Sequence, residues 1–234
     1  LWAGGREIER KGFPEFCGCH HIPPFWPKDD SDSIETAAQK ALEAAQELFQ
    51  KVGGFACFLA EPIRSTPHIP PDWFWPEIKS LCIQNDTLLI FDEIPTGLGK
   101  TGKLFSGQHF EVEPDITVLG KSLGGAVAPL SAIIAKDELN VTSPWAIGHY
   151  THQKNPFLCQ AGNITLDIIQ EEGLVERSRT EGEWALSELK RIAETTPAYK
   201  DARGIGLLMV IEVAKDVDIQ LLKLECFRKG LNIG

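Results

Sequence analysis

Residues 87–93 read TLLIFDE and residues 116–121 read ITVLGK. Each is a short, continuous apolar run that closes on charge: Asp92 and Glu93 in the first, Lys121 in the second. Apolar runs of this length without polar alternation suit strands buried on both faces, and such strands belong to parallel sheets covered by helices. Ligands of these sheets gather at the carboxyl ends of the strands, where Asp92 and Lys121 fall.

The flanking segments carry the same alternation. FACFLA at 55–60 and LSAIIA at 130–135 are further runs of strand length. Ile34, Ala38, Ala41, Leu42, Ala45 and Leu48 recur at helical spacing, which predicts a helix over 33–51 with Asp32 and Glu35 as a capping box and Gly53–Gly54 as its stop. A loop containing Pro62, Pro67, Pro70 and Pro71 then leads to a helix near 73–85. The expected fold class is α/β, with a mostly parallel central sheet and helices on both faces. From about residue 156 the pattern becomes helix through NITLDIIQEE, helix over 173–194, strand LLMVIEV at 207–213 and helix over 217–229. That reads as the start of a small α+β domain, so we expect a large domain over 1–175 and a small C-terminal one over 176–234. The chain opens on Leu1 without a methionine and stops at Gly234 just after a helical pattern, so both ends are expected to be cut.

Composition narrows the function classes. The 234 residues are 43% hydrophobic and 24% charged, enough for a sizeable core. A net charge of −10 with no lysine or arginine cluster repels polyanions and excludes nucleic acid as a partner. Runs such as LLIF at 88–91 are too short to cross a bilayer and no signal segment opens the chain, so a cytoplasmic protein without a membrane partner is expected. Six scattered cysteines point to reduced thiols. Cys17, Cys19, His20 and His21 form a CxCHH run without a distant second ligand pair, which falls short of zinc spacing, so no metal is expected. Gly99-Lys100-Thr101 and Gly120-Lys121-Ser122 suggest a phosphate-binding loop, but the glycine required five residues earlier is Ile94 in one case and Asp115 in the other.

A more specific constellation is FDEIPTGLGKTG at 91–102, PDITVLGKSLGG at 114–125 and HYTHQKNP at 149–156. This combination resembles the class III aminotransferases, the group of ornithine and 4-aminobutyrate aminotransferases. The resemblance implies the fold-type-I architecture of enzymes dependent on pyridoxal 5′-phosphate (PLP), a homodimer, and amino-group transfer between an anionic amine or amino acid and an oxo acid. It implies that Lys121 forms the Schiff base, that Asp92 grips the pyridine nitrogen, that Thr151 holds the phosphate across the dimer interface, and that Glu61 matches the family's Glu-Pro step. The chemistry suits these residue types. A carboxylate holding the pyridinium nitrogen makes the ring a better electron sink. An amine that attaches covalently and then shuttles a proton needs a partly desolvated site, which lowers an amine's pKa.

Two departures stand out. The family's glutamine two residues past the Asp-Glu pair is Pro95, which has no donor to offer the ring hydroxyl. The loop after Glu61-Pro62 runs Ile63-Arg64-Ser65-Thr66 in place of glutamine, glycine and an acidic gate. Arg64 is therefore expected as an uncompensated cation that takes an anionic substrate. The family's phosphate loop and ring-stacking aromatic are expected before Leu1, and its carboxylate-binding arginine beyond Gly234. Two alternatives stay open: a PLP lyase eliminating ammonia or phosphate from an amino-alcohol phosphate or hydroxy-aminophosphonate, as in the phosphonate ammonia-lyase branch, and a non-catalytic remnant of the fold.

Overall fold

In the computed structural model of the chain, the residues described are 18–27, 32–141, 151 and 154–234. The first helix, α1 (Ile34–Val52), starts one residue later than its acidic flank suggests. Ser33, not Asp32, is its N-cap: the Ser33 hydroxyl accepts the Thr36 N–H at 3.1 Å. Asp32 pairs with Lys40 at 2.6 Å, and Glu35 accepts the Trp73 indole N–H at 2.9 Å. Gly53 closes the helix in a left-handed conformation with φ 86°, its N–H reaching the Phe49 carbonyl at 2.9 Å. Ala38, Ala41, Leu42, Ala45 and Phe49 lie buried along one face, as their spacing requires.

Four strands form one sheet in the order β1 (Cys57–Ala60), β2 (Leu88–Asp92), β3 (Ile116–Leu119) and β4 (Ala132–Ala135). The first three run parallel and β4 is antiparallel to β3. Helix α2 (Phe74–Gln84) makes the crossover from β1 to β2, while a long loop with a short 3₁₀ turn at Ser106–Phe110 links β2 to β3. Leu89 and Phe91 of β2 are fully buried, and Phe91 packs edge-on against Trp75 with ring centroids 4.9 Å apart. The expectation of burial fails for β4, whose four residues are all exposed. Apolar composition shows that a strand is fit to be covered; among the described residues, no element covers this one.

Asp115, just before β3, fastens the sheet together. Its backbone N–H and carboxylate both bond Leu89, at 2.8 Å each, and the carboxylate pairs with Lys79 at 2.8 Å and Lys136 at 2.7 Å. Burial opposes the charge, but the hydrogen bonds from Lys136, Lys79 and the Leu89 N–H outweigh it and hold the carboxyl down at about 2. A folded-state pKa below the unfolded value gives stability that is complete above the usual carboxylate range and is lost as pH falls from about 4 through 2. Asp115→Asn is expected to cost about 2 kcal/mol near neutral pH, with the gap to wild type closing in acid. Urea unfolding across pH 3–7 checks this; a gap that does not change with pH would contradict it.

After β4, helices α3 (Pro156–Glu171) and α4 (Leu174–Thr195) lead to a hairpin of β5 (Tyr199–Ile205) and β6 (Leu208–Val213), then to α5 (Ile219–Arg228). Strand β5 has no counterpart in the sequence-based expectation. The hairpin turn and α4 both dock against the loop that follows β2: the Leu207 N–H of the turn and the Ser178 hydroxyl of α4 reach the Lys100 carbonyl at 2.9 Å each. Gly206 is required there. It has φ 56°, and a Cβ would stand 2.5 Å from the Thr101 carbonyl carbon.

Candidate active site

The parallel strands align three charged residues at one edge of the sheet. Ala60 is in register with Phe91, so Glu61 follows β1 where Asp92 ends β2, and Asp92 is in register with Val118, three residues before Lys121. This is the carboxyl edge, where the loops diverge and leave room for a ligand.

Asp92 is half-buried, and one oxygen, Oδ1, accepts the Ile94 N–H at 3.0 Å. Among the described residues no further hydrogen bond or ion pair occupies its carboxylate. Lys121 starts a short 3₁₀ turn (Lys121–Gly124) with φ 47°, the left-handed region that a side chain disfavours by about 1–2 kcal/mol. No carboxylate of the described residues pairs with it. It is exposed rather than enclosed as expected, because it stands beside the uncovered β4. A half-buried carboxylate with a free oxygen and an unpaired lysine just past the end of the neighbouring strand form a set that fits a group carrying a protonated ring nitrogen and an aldehyde.

The structure corrects the expectation for Arg64. Its Nη1 donates to Glu61 Oε1 at 2.8 Å and Oε2 at 3.0 Å, and each side chain of the pair is only 14% exposed. The cation is compensated from within its own loop, three residues back, by the carboxylate of the Glu-Pro step. The guanidinium lies over Trp26, 5.8 Å from the ring centroid.

Thr151 is an exposed turn residue. No bond among the described residues joins it to Asp92 or Lys121, and residues 142–150 and 152–153 of the motif around it lie outside the described residues. The neighbouring Asn155-Pro156 step has a local cause: Asn155 caps α3, accepting the Phe157 and Leu158 N–H groups at 3.0 and 3.4 Å, and proline suits the first helical position. Cys17 of the CxCHH run also lies outside the described residues, among which no cluster of three metal-ligating side chains occurs.

Glu93 had no role in the sequence-based expectation. The residue is 2% exposed, and its carboxylate accepts the Ser106 hydroxyl at 2.6 Å, the Thr96 hydroxyl at 2.9 Å and the Gly107 N–H at 2.9 Å. It ties down the loop that leaves Asp92. The period of two along β2 is the available signal, since it turns adjacent acids to opposite faces. Its carbonyl accepts the Thr96 and Gly97 N–H groups at 3.3 and 2.8 Å, a turn that uses no N–H from Pro95. A cavity of about 480 Å³ lies along β1 among Phe25, Trp26, Phe49, Phe55 and Phe74, and of the charged edge it touches only Glu61.

Residues 4–234 match the model of the aminotransferase class-III family. The chain is 32% identical to an (R)-1-hydroxy-2-aminoethylphosphonate ammonia-lyase from Vibrio splendidus over 98% of its own length and 53% of the relative's. It is 41% identical to ornithine aminotransferase 2 from Staphylococcus saprophyticus over 68% of its length and 40% of that protein's. Among solved structures, an (S)-enantioselective omega-transaminase from Thermomicrobium roseum superposes with TM-score 0.83 at 29% identity, covering 97% of this chain and 55% of the other. The chain thus spans about half the length of the curated relatives it matches.

Proposed function

From the premise that this chain belongs to the class III aminotransferases, whose cofactor is pyridoxal 5′-phosphate, we propose that the whole protein moves an amino group between an amine or amino acid and an oxo acid. The observation that carries this is the unpaired Asp92 carboxylate oxygen and the unpaired Lys121 ammonium at the carboxyl ends of neighbouring parallel strands. When bound, the cofactor supplies an electron sink for the negative charge left at the substrate's Cα.

The residues divide the remaining work. Asp92, oriented by the Ile94 N–H through Oδ1, offers its other oxygen to the protonated ring nitrogen. Lys121 would hold the cofactor covalently through its amine and, as a general base, would take the substrate's Cα proton and return it. Arg64, steadied by Glu61, offers a carboxylate, phosphate or phosphonate the guanidinium edge that Glu61 does not use. Thr151 belongs to the same proposal as a phosphate-binding residue contributed across a homodimer interface. Five free cysteines at Cys19, Cys57, Cys82, Cys159 and Cys226 suit a reducing, cytoplasmic setting. No helix among the described residues is long and apolar enough to cross a membrane. The split at 175/176 falls in the first turn of α4 and assigns the rest of α4, the hairpin and α5 to a small domain that packs against the site loops.

A second function is favoured by one observation: the ammonia-lyase match spans 98% of this chain, the ornithine aminotransferase match 68%. The two reactions separate in one experiment. With an anionic amine and no oxo acid, a transaminase converts about one equivalent per active site and then stops until an oxo acid is added, whereas a lyase releases ammonia or phosphate continuously. A halt restored by an oxo acid supports transamination. Steady turnover without it would establish the lyase, and no reaction of the loaded protein with any amine would leave the non-catalytic remnant.

A further inference from the structure

We propose that Arg203, on the β5–β6 hairpin, is a positioning residue that holds the 61–68 loop and thereby sets the substrate-facing edge of Arg64. The proposal rests on the substrate role given above to Arg64. Arg203 lies 136 positions from Pro67 in sequence, yet its Nε donates to the Pro67 carbonyl at 3.0 Å, while its Nη1 is held on the hairpin by Glu212 at 3.0 Å and Asp201 at 3.2 Å. One planar guanidinium thus joins the hairpin to the loop, using two edges that a lysine ammonium does not possess.

The rest of the loop is anchored independently. Ile63 is fully buried, and Trp75 donates its indole N–H to the Pro62 carbonyl at 2.8 Å, which fixes the base. The Arg64 N–H closes the turn onto the His68 carbonyl at 3.1 Å. His68 stacks on Trp26, the ring over which Arg64 lies. Burial first, then the charges of Arg203 and Arg64, lower the His68 imidazole to about 4 against a smaller opposing pull from Glu212, so at neutral pH no third cation competes for the carboxylates. Arg64 spends only Nη1 on Glu61 and Ser65. Its Nη2 and Nε have no bond among the described residues, which leaves that side of the fork for a substrate anion. The Pro67 carbonyl lies between Arg64 and His68 in the turn, so releasing it frees the segment that aims this edge.

The test uses the whole protein with Arg203→Lys, which keeps charge for Glu212 but drops the link to Pro67, and Glu212→Gln, which keeps the link. Two readouts are needed: hydrogen exchange at the Arg64 amide, and KM and kcat for an anionic and a neutral amine. In Arg203→Lys, exchange is expected to accelerate about tenfold and KM for the anionic amine to rise about tenfold, with kcat, the neutral amine and the cofactor absorbance nearly unchanged. Glu212→Gln should move each by less than about twofold. If Arg203→Lys folds poorly, Arg203→Gln is measured in the same way. Unchanged exchange overturns the proposal, as does faster exchange with equal KM shifts for both amines. Failure of the underlying substrate role shows separately, as Arg64→Ala affecting both amines equally.

Discussion

Lys121→Ala is expected to abolish covalent attachment of the cofactor and to lower turnover on the order of 10³-fold, within the range for a lost general base. The fold should survive. Lys121 is exposed, forms no ion pair among the described residues, and already occupies left-handed backbone that alanine tolerates no worse. The residue thus holds a strained conformation without a structural bond to justify it, which is the pattern of strain retained for function. Thermal unfolding and single-turnover kinetics measured together check this. Wild-type turnover in the variant, or loss of the fold in place of chemistry, would remove Lys121 from its role.

Asp92→Asn is expected to keep the cofactor but to lower kcat on the order of 10²-fold or more, in line with removal of one preorganised charge-stabilising group. The asparagine oxygen still accepts the Ile94 N–H, so the strand end keeps its geometry. The neutral amide cannot balance a protonated ring nitrogen, and the electron sink weakens. A fall in kcat with the cofactor absorbance retained supports the assignment; unchanged kcat contradicts it.

The placement of Asp92 and Lys121 at one edge of the sheet was legible in the sequence. The apolar runs at β2 and β3 end on Asp92 and Lys121, and a parallel register necessarily brings such ends to one edge. Tertiary choices account for the errors. Ser33 caps α1 in place of Asp32 because its hydroxyl is placed to reach the third amide of the helix, while Asp32 turns to pair with Lys40. Strand β5 was invisible because Lys200, Asp201 and Arg203 interrupt its apolar pattern; Arg203 finds partners only in the fold, in Glu212 across the hairpin and the Pro67 carbonyl of a distant loop, beside Asp201 of its own strand. The charge on Arg64 looked uncompensated because its partner, Glu61, had been read as part of the Glu-Pro step, and only the bend of the loop joins the two. Glu93 drew no attention because its donors, Ser106 and Gly107, come from a distant part of a loop without periodicity.

The most direct measurement is borohydride reduction of the cofactor-loaded whole protein followed by peptide mapping. The expected result is a single modified lysine, Lys121, in the peptide that carries Gly120 and Ser122. Label on Lys100, whose carbonyl anchors the hairpin, or a coloured protein with no labelled lysine, would contradict the assignment.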